Sequence, residues 1–454
     1  MTQMTRILTS SIFNSQILFA KLGYIIYKKS AQIRVIRVIC VPQKTMQPNN
    51  YEGQLMSTPY PQSDPYGALS MPVYNALAYE FETAEEMEQV FLGKEDKHFY
   101  SRISNPTVEY FENRVKKITN AHGVTAFNSG MAAVSNALFT LAWSGSNIVT
   151  TSRLFGNTYS FFVSTLKAFG VEIRFCDLTN AEETARCIDE NTCVVFVEII
   201  ANPQMEVVDL QSLSEIAKQK NVPLIADTTL IPFSVFRAAD FGVDIEIVAS
   251  TKYISGGATS LGGLVIDYGT FGWEDSQKLK SVPTDSRNAF HFKLRKEVQR
   301  NLGAYMTPQV AYMQTLGLET LHIRYERQAK TCLELAKKLQ SLSEVKAVNY
   351  TGLANNLYYE ISKKQFGELP GAMLTFDLSS REQCFAFLNN LKLIRRSTNL
   401  FDNRSLIIHP ASTIYAPFTA EQRVEMDVRD TTIRLSVGLE SVNELFDDIC
   451  QALK

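Results

Sequence analysis

The chain has 454 residues, 45% of them apolar and 20% charged, with a net charge of −2. That length builds two or three domains, and the near-neutral balance gives no field that would draw in nucleic acid or a membrane surface. The seven cysteines are odd in number, scattered and free of CxxC pairs, which excludes a disulfide framework or zinc site and points to a reducing, cytoplasmic setting.

Before Met46 the chain carries Arg6, Lys21, Lys28, Lys29, Arg34, Arg37 and Lys44 and no acidic residue. This basic N-terminal extension, with the Pro/Asn/Gln/Ser-rich linker Gln47–Asp64, makes residues 1–63 a poorly ordered leader or an upstream read-through. Polar residues interrupt Ile7–Tyr27, so it does not span a membrane. Residues 64–110 form an N-terminal arm.

From about Phe111 helices and strands alternate. Helices are expected at Glu109–Thr119, Gly130–Trp143, Thr158–Phe169, Glu182–Ile188 and Leu210–Lys220. Strands are expected at Thr125–Asn128, Asn147–Thr151, Glu172–Cys176, Cys193–Ile199, Pro223–Ala226, Ile245–Ala249 and Leu264–Val265. The almost wholly apolar Cys193–Ile199 is what a strand covered on both faces requires. The pattern implies an α/β fold, a mostly parallel sheet with helices on both faces, over residues 111–302. Residues 303–454 read as a smaller α+β domain with helices at Tyr325–Leu342, Glu382–Asn389 and Val442–Leu453 and strands at Gly371–Asp377, Leu393–Ser397 and Thr432–Ser436.

Ligands of parallel sheets sit at the carboxyl ends of the strands, and the chemistry-bearing residues fall there. Lys252, in Ser250-Thr251-Lys252-Tyr253, follows an apolar strand and precedes two glycines, a position from which a desolvated amine could attack an aldehyde; it could equally be a solvated lysine. Ser129-Gly130-Met131 opens a helix, as either a phosphate site or a plain N-cap. Asp227 is a partner for a protonated ring nitrogen or a turn cap. Asn202 could hydrogen-bond a phenolic oxygen or simply make a turn, and Arg434 could clamp a carboxylate or form a surface ion pair.

Six stretches occur in order: Tyr100-Ser-Arg102-Ile-Ser-Asn105-Pro106-Thr107, Ser129-Gly130-Met131, Ser250-Thr251-Lys252-Tyr253, Gly317-Leu318-Glu319-Thr320-Leu321, His409-Pro410-Ala411-Ser412 and Arg434-Leu-Ser-Val-Gly438-Leu-Glu440. From about Asp64 to the C-terminus the chain resembles the Cys/Met-metabolism family of pyridoxal-phosphate enzymes, which includes cystathionine synthases and lyases, methionine γ-lyase and O-acetylhomoserine sulfhydrylase. The resemblance implies the aspartate-aminotransferase-like fold of type I pyridoxal-phosphate enzymes and pyridoxal 5′-phosphate as cofactor. By the same resemblance Lys252 holds the cofactor covalently and shuttles protons, and Asp227 takes the pyridine nitrogen. Gly130 and Met131 give backbone N–H groups to the phosphate, helped by Thr251. Ser129, Thr229 and Ser250 are further cofactor-binding residues, although the Ser250 side chain is expected on the opposite face of its strand. Asn202 meets the phenolic oxygen, and Asn399 and Arg434 hold the substrate. Tyr100 and Arg102 reach a neighbouring subunit's cofactor, so a homodimer or homotetramer is implied. No metal is.

The chain departs from the family in five places, the mildest being Asp227-Thr228-Thr229 for Asp-Asn-Thr. Phe155-Gly156 stands where a Tyr-Gly pair stacks on the cofactor. Ala249 replaces a phosphate-binding serine. Asn399-Leu400-Phe401-Asp402 replaces Ser-Leu-Gly, and Tyr415 replaces a histidine. Phe155-Gly156-Asn157-Thr158-Tyr159 is most similar to the corresponding stretch of O-acetylhomoserine sulfhydrylases, and an acetate leaving group needs little protonation. The expected reaction is therefore γ-replacement on an O-acylated homoserine by sulfide or a thiol. The alternatives are methionine γ-lyase, cystathionine lyase or cystathionine γ-synthase chemistry, a cofactor-binding protein without turnover, and an aminotransferase.

Overall fold

In the computed structural model the described residues are 50–59 and 64–454, together with two strands from the N-terminal 49 residues. Those strands, β1 (Tyr24–Lys29) and β2 (Gln32–Arg37), pair antiparallel from Tyr24 opposite Arg37 to Lys29 opposite Gln32. The rest of the basic extension, and with it the expectation of poor order there, lies outside the described residues. Part of the expected linker is a helix. Tyr51–Met56 docks on the body, with Leu55 fully buried and the Tyr51 hydroxyl donating to the Leu318 carbonyl at 2.8 Å. Its polar neighbours hid an apolar anchor that only tertiary contact rewards.

The large sheet has seven strands: β3 (Gly123–Phe127), β4 (Asn147–Thr150), β5 (Glu172–Phe175), β6 (Thr192–Glu198), β7 (Leu224–Asp227), β8 (Ile245–Val248) and β9 (Gly263–Asp267). Their order is β3-β9-β8-β7-β6-β4-β5, with β9 antiparallel to both neighbours and the other pairs parallel. Alternate residues of one strand go to two separate cores. Val195 and Val197 of β6 join one cluster and Val194 and Phe196 the other. A sheet buried on both faces in this way needs apolar residues at every position, which is why β6 reads as an unbroken apolar run.

The second sheet lies in residues 347–436. It comprises β10 (Ala347–Asn349), β11 (Met373–Asp377), β12 (Arg395–Arg396), β13 (Leu406–Ile408) and β14 (Thr432–Ser436), in the order β10-β11-β14-β13-β12. Helices Leu321–Leu339 and Val442–Ala452 pack together beside it. Only Arg395–Arg396 pairs within the expected strand Leu393–Ser397, because the Asp448 carboxylate takes the backbone N–H groups of Lys392, Leu393 and Ile394. The shared topology puts the ends of β4, β6, β7 and β8 and the start of the helix Gly130–Leu141 at one edge.

Candidate active site

A cavity of about 850 Å³ opens at that edge. Its wall includes Ser129, Gly130, Met131, Phe155, Asn202, Asp227, Thr229, Thr251, Lys252, Asn399 and Arg434, so eleven of the fourteen candidate residues meet in one place.

The loop after β8 turns Lys252 into the cavity. Thr251 clamps it: its hydroxyl donates to the Gly262 carbonyl at 3.1 Å and accepts the Gly262 N–H at 2.9 Å. The Lys252 ammonium donates to Asn399 Oδ1 at 2.8 Å. Burial, helped by the Arg434 charge and opposed by Asp227, draws the Lys252 amine down to about 8. At such a value about 1% of the amine is neutral at pH 6 and about 10% at pH 7. Only the neutral form attacks an aldehyde, so the rate at which apoenzyme captures pyridoxal phosphate rises about tenfold per pH unit from pH 6 and levels above pH 8. Stopped-flow absorbance measures this, and a flat profile would mean that the amine is already neutral.

Asp227 ends β7, level with Glu198 at the end of β6. Burial raises the Asp227 carboxyl, offset by the Thr229 hydroxyl and N–H and by Lys252. Burial and Asp227 push Glu198 well up, against the Phe155 N–H that it accepts at 2.7 Å. Glu246, one strand further on, is fully buried and raised to about 7 by burial, and Thr228 and Tyr268 hydroxyls hold it. A buried carboxylate costs least when a cation pairs with it, so Asp227 suits a protonated ring nitrogen.

Ser129 caps the helix Gly130–Leu141, its hydroxyl accepting the Ala132 N–H at 3.1 Å. The first N–H groups of a helix have no acceptor inside it, so those of Gly130 and Met131 are free for a phosphate. Gly130 has to be glycine, since a Cβ there would stand 2.7 Å from Cβ of Ala249. Ala249, the residue replacing the family's serine, thus packs against the start of this helix, and its N–H donates to Thr229 Oγ1 at 2.8 Å.

Arg434 enters from β14 and is only 2% exposed, which removes the surface-ion-pair alternative. It donates to Asn202 Oδ1 at 3.2 Å and the Thr398 carbonyl at 3.1 Å, while its buried Nε has no partner. Burial draws its guanidinium down to about 10. A buried cation with an unspent donor, facing a cavity, fits an incoming carboxylate.

Three candidates lie elsewhere. Ser250 points away, its buried hydroxyl unpartnered and close to where a Cβ on Gly262 would sit, because side chains alternate and its neighbours Ala249 and Thr251 face the cavity. Tyr100 and Arg102 line a second surface cavity with Phe81, Phe91 and Phe99, the guanidinium 5.4 Å from the Tyr100 ring centre. Phe401, expected to fill the space that the family's glycine leaves open, is not part of the cavity wall. It takes φ +55° at the position of the family's glycine and stacks on Tyr253 with ring centres 4.0 Å apart, an offset for left-handed strain of about 1–2 kcal/mol. Glu198 stands among the strand-end candidates of the sequence without a role of its own, while the lining residues Thr398 and Ile414 were not singled out. A lone acid ending an apolar strand was the available signal for Glu198.

The donor set at this edge fits pyridoxal phosphate: a lysine whose proton is held less tightly than usual, a buried carboxyl at a strand end, and a helix start for the phosphate. Residues 54–454 match the Cys/Met metabolism PLP-dependent enzyme family. The chain belongs to this family. It is 32% identical to the O-acetyl-L-homoserine sulfhydrylase of Corynebacterium glutamicum, over 84% of this chain and 92% of that protein. It is 35% identical to the L-methionine gamma-lyase of Fusobacterium nucleatum, over 86% and 94%. A structure described as an O-acetylhomoserine (thiol)-lyase from Campylobacter jejuni, which carries a pyridoxyl-lysine phosphate, superposes with a TM-score of 0.83 at 30% identity, covering 89% of this chain and 99% of that one. The O-acetylhomoserine sulfhydrylase of Wolinella succinogenes is 44% identical, with a TM-score of 0.71 over 78% and 99%. The enzyme is therefore pyridoxal-phosphate-dependent and acts in cysteine and methionine metabolism.

Proposed function

We propose that the enzyme exchanges the γ-substituent of an O-acylated homoserine, O-acetylhomoserine foremost, for sulfide or a thiol. The observation that carries this is Phe155. Its ring faces the cavity where the family has a tyrosine, and it has no proton to give. The phenol of Tyr415 is engaged with two backbone carbonyls. A leaving group that departs as a carboxylate suits such a site, because it needs little protonation.

Bound at Lys252, the cofactor supplies an electron sink for carbanions at Cα and Cβ of the substrate. Lys252 carries the protons between those carbons. Asp227 binds the pyridine nitrogen, and the Gly130 and Met131 N–H groups hold the phosphate beside Ser129, Thr229 and Thr251. Asn202 meets the phenolic oxygen, Arg434 takes the α-carboxylate, and Asn399 orients the Lys252 amine. Tyr100 and Arg102 serve the cofactor phosphate of a neighbouring subunit, making a homodimer or homotetramer the working unit. A cytoplasmic location accords with six cysteines among the described residues, none in a disulfide.

Elimination from methionine is the second reading, supported by relatives named L-methionine gamma-lyase at 32–35% identity. Purified enzyme with pyridoxal phosphate, O-acetylhomoserine and sulfide should yield homocysteine and acetate, and little 2-ketobutyrate from methionine. Ketobutyrate without homocysteine would replace the exchange reading with the lyase.

A further inference from the structure

The loop after β13 delivers a tyrosine for which this chemistry has no use. Tyr415 is fully buried, and its hydroxyl lies 2.7 Å from the Asn202 carbonyl and 3.0 Å from that of Leu154. A phenol has one proton, so the two carbonyls share it, and the shorter contact takes the larger part. Burial, with Glu198 nearby, pushes the phenol well above its ordinary value, so it remains a donor throughout the working pH range.

Both acceptors bear on the site. Leu154 precedes Phe155, and Asn202 carries the amide that accepts from Arg434. The surrounding loop is moulded to the same corner. A Cβ on Gly156 would stand 3.0 Å from the Ile414 carbonyl and 3.3 Å from the Phe418 ring. Phe418 meets Tyr159 edge-on with centres 5.6 Å apart, and the Gln204 amide donates to the Met426 carbonyl. Residues 414–426 of the C-terminal region thus seat on the two large-domain loops that bound the cavity. His409, by contrast, is spent on its own turn, bonding Ser412 and the Asp430 carbonyl.

We propose that Tyr415 is a positioning residue of this active site: through the Leu154 and Asn202 carbonyls, its single hydroxyl fixes the Phe155 ring and the Asn202 amide relative to each other. Phe155 has no hydroxyl with which to anchor its own ring, so it is held from behind by its backbone, by Tyr415 on one side and Glu198 on the other. The inference rests on the reading of the cavity as the cofactor and amino-acid site.

The test is Tyr415→Phe, with Tyr415→His as the variant that keeps one ring N–H donor. In the Phe variant thermal stability stays within a few degrees, kcat with O-acetylhomoserine and sulfide falls about tenfold, and KM moves less than about threefold, as expected when geometry rather than ground-state binding is lost. The absorbance maximum of the lysine-bound cofactor shifts, because the Asn202 amide leaves the phenolic oxygen. The His variant recovers part of both. An unchanged spectrum with unchanged kcat overturns the proposal, and so does a fall in kcat, cofactor affinity and stability together in both variants, which is the signature of a merely structural tyrosine. If Tyr415→Phe fails to fold, the His variant against wild type carries the same comparison. The spectrum and the pyridoxal phosphate dissociation constant need no turnover, so they test Tyr415 even if wild-type enzyme makes no homocysteine and the exchange reading fails.

Discussion

Lys252→Ala abolishes the absorbance of the lysine-bound cofactor and lowers turnover by more than about 10⁴-fold, since covalent capture and proton transfer at the substrate depend on the same amine. The fold survives the change. The Lys252 side chain has one hydrogen-bond partner, Asn399 Oδ1, and the loop is held independently by Thr251 on Gly262 and by the Tyr253 hydroxyl accepting the Ala372 N–H. Pyridoxal phosphate still binds the variant, but as a dialysable ligand held by Asp227 and the helix start. Circular dichroism, dialysis and an assay for homocysteine check the three parts separately. Turnover retained at more than a few per cent would move the proton chemistry to another group.

How far the sequence shows this site depends on what each residue does. Lys252, Asp227, Asn202 and Arg434 were legible because each lies in or follows a strand of clear apolar pattern, and parallel strands deliver their ends to one edge. The cost of burying them is visible only in three dimensions, where Asp227 and Glu198 face each other across paired strands and Arg434 is left with an unpaired Nε. Several residues that carried the family resemblance do packing work rather than chemistry. Gly317 lets its helix press on the Gly256 backbone, Glu319 pairs with the buried Arg114 at 2.9 Å, and Glu440 takes the Ser405 N–H. A motif match therefore identifies the family without giving each of its residues a chemical role.

The elements that escaped the sequence reading share a cause. The helix Pro308–Glu319 buries Gln314, Thr315 and Gly317 on its inner face and exposes Leu316, so apolarity does not mark its buried side. The three-residue strand β13 is apolar but shorter than any alternation that could be recognised. The helix Tyr51–Met56 is held by tertiary contacts, among them buried Leu55, the Tyr51 hydroxyl and the Arg114 guanidinium on the Leu55 carbonyl. In each case the signal is a tertiary contact, whereas β6 and the helix Gly130–Leu141 declare themselves locally.

Arg434→Ala raises KM for the amino-acid substrate by about 10²-fold or more, because two charge-assisted hydrogen bonds of roughly 1.5–3 kcal/mol each are lost. It has a second effect of predictable sign. The Arg434 charge is the second cause, after burial, that draws Lys252 down. Removing it lets the Lys252 pKa rise, so a smaller fraction of the amine is neutral at pH 7 and cofactor capture by the apoenzyme slows there. The whole pH profile of capture shifts to higher pH, and the wild-type rate is recovered once the medium is alkaline enough to strip the proton. Arg434→Lys keeps a charge but not the planar fork. It should leave the capture profile near that of wild type while KM stays high. An unchanged KM in the alanine variant would place the carboxylate elsewhere, and an unchanged capture profile would mean that burial alone sets the state of Lys252.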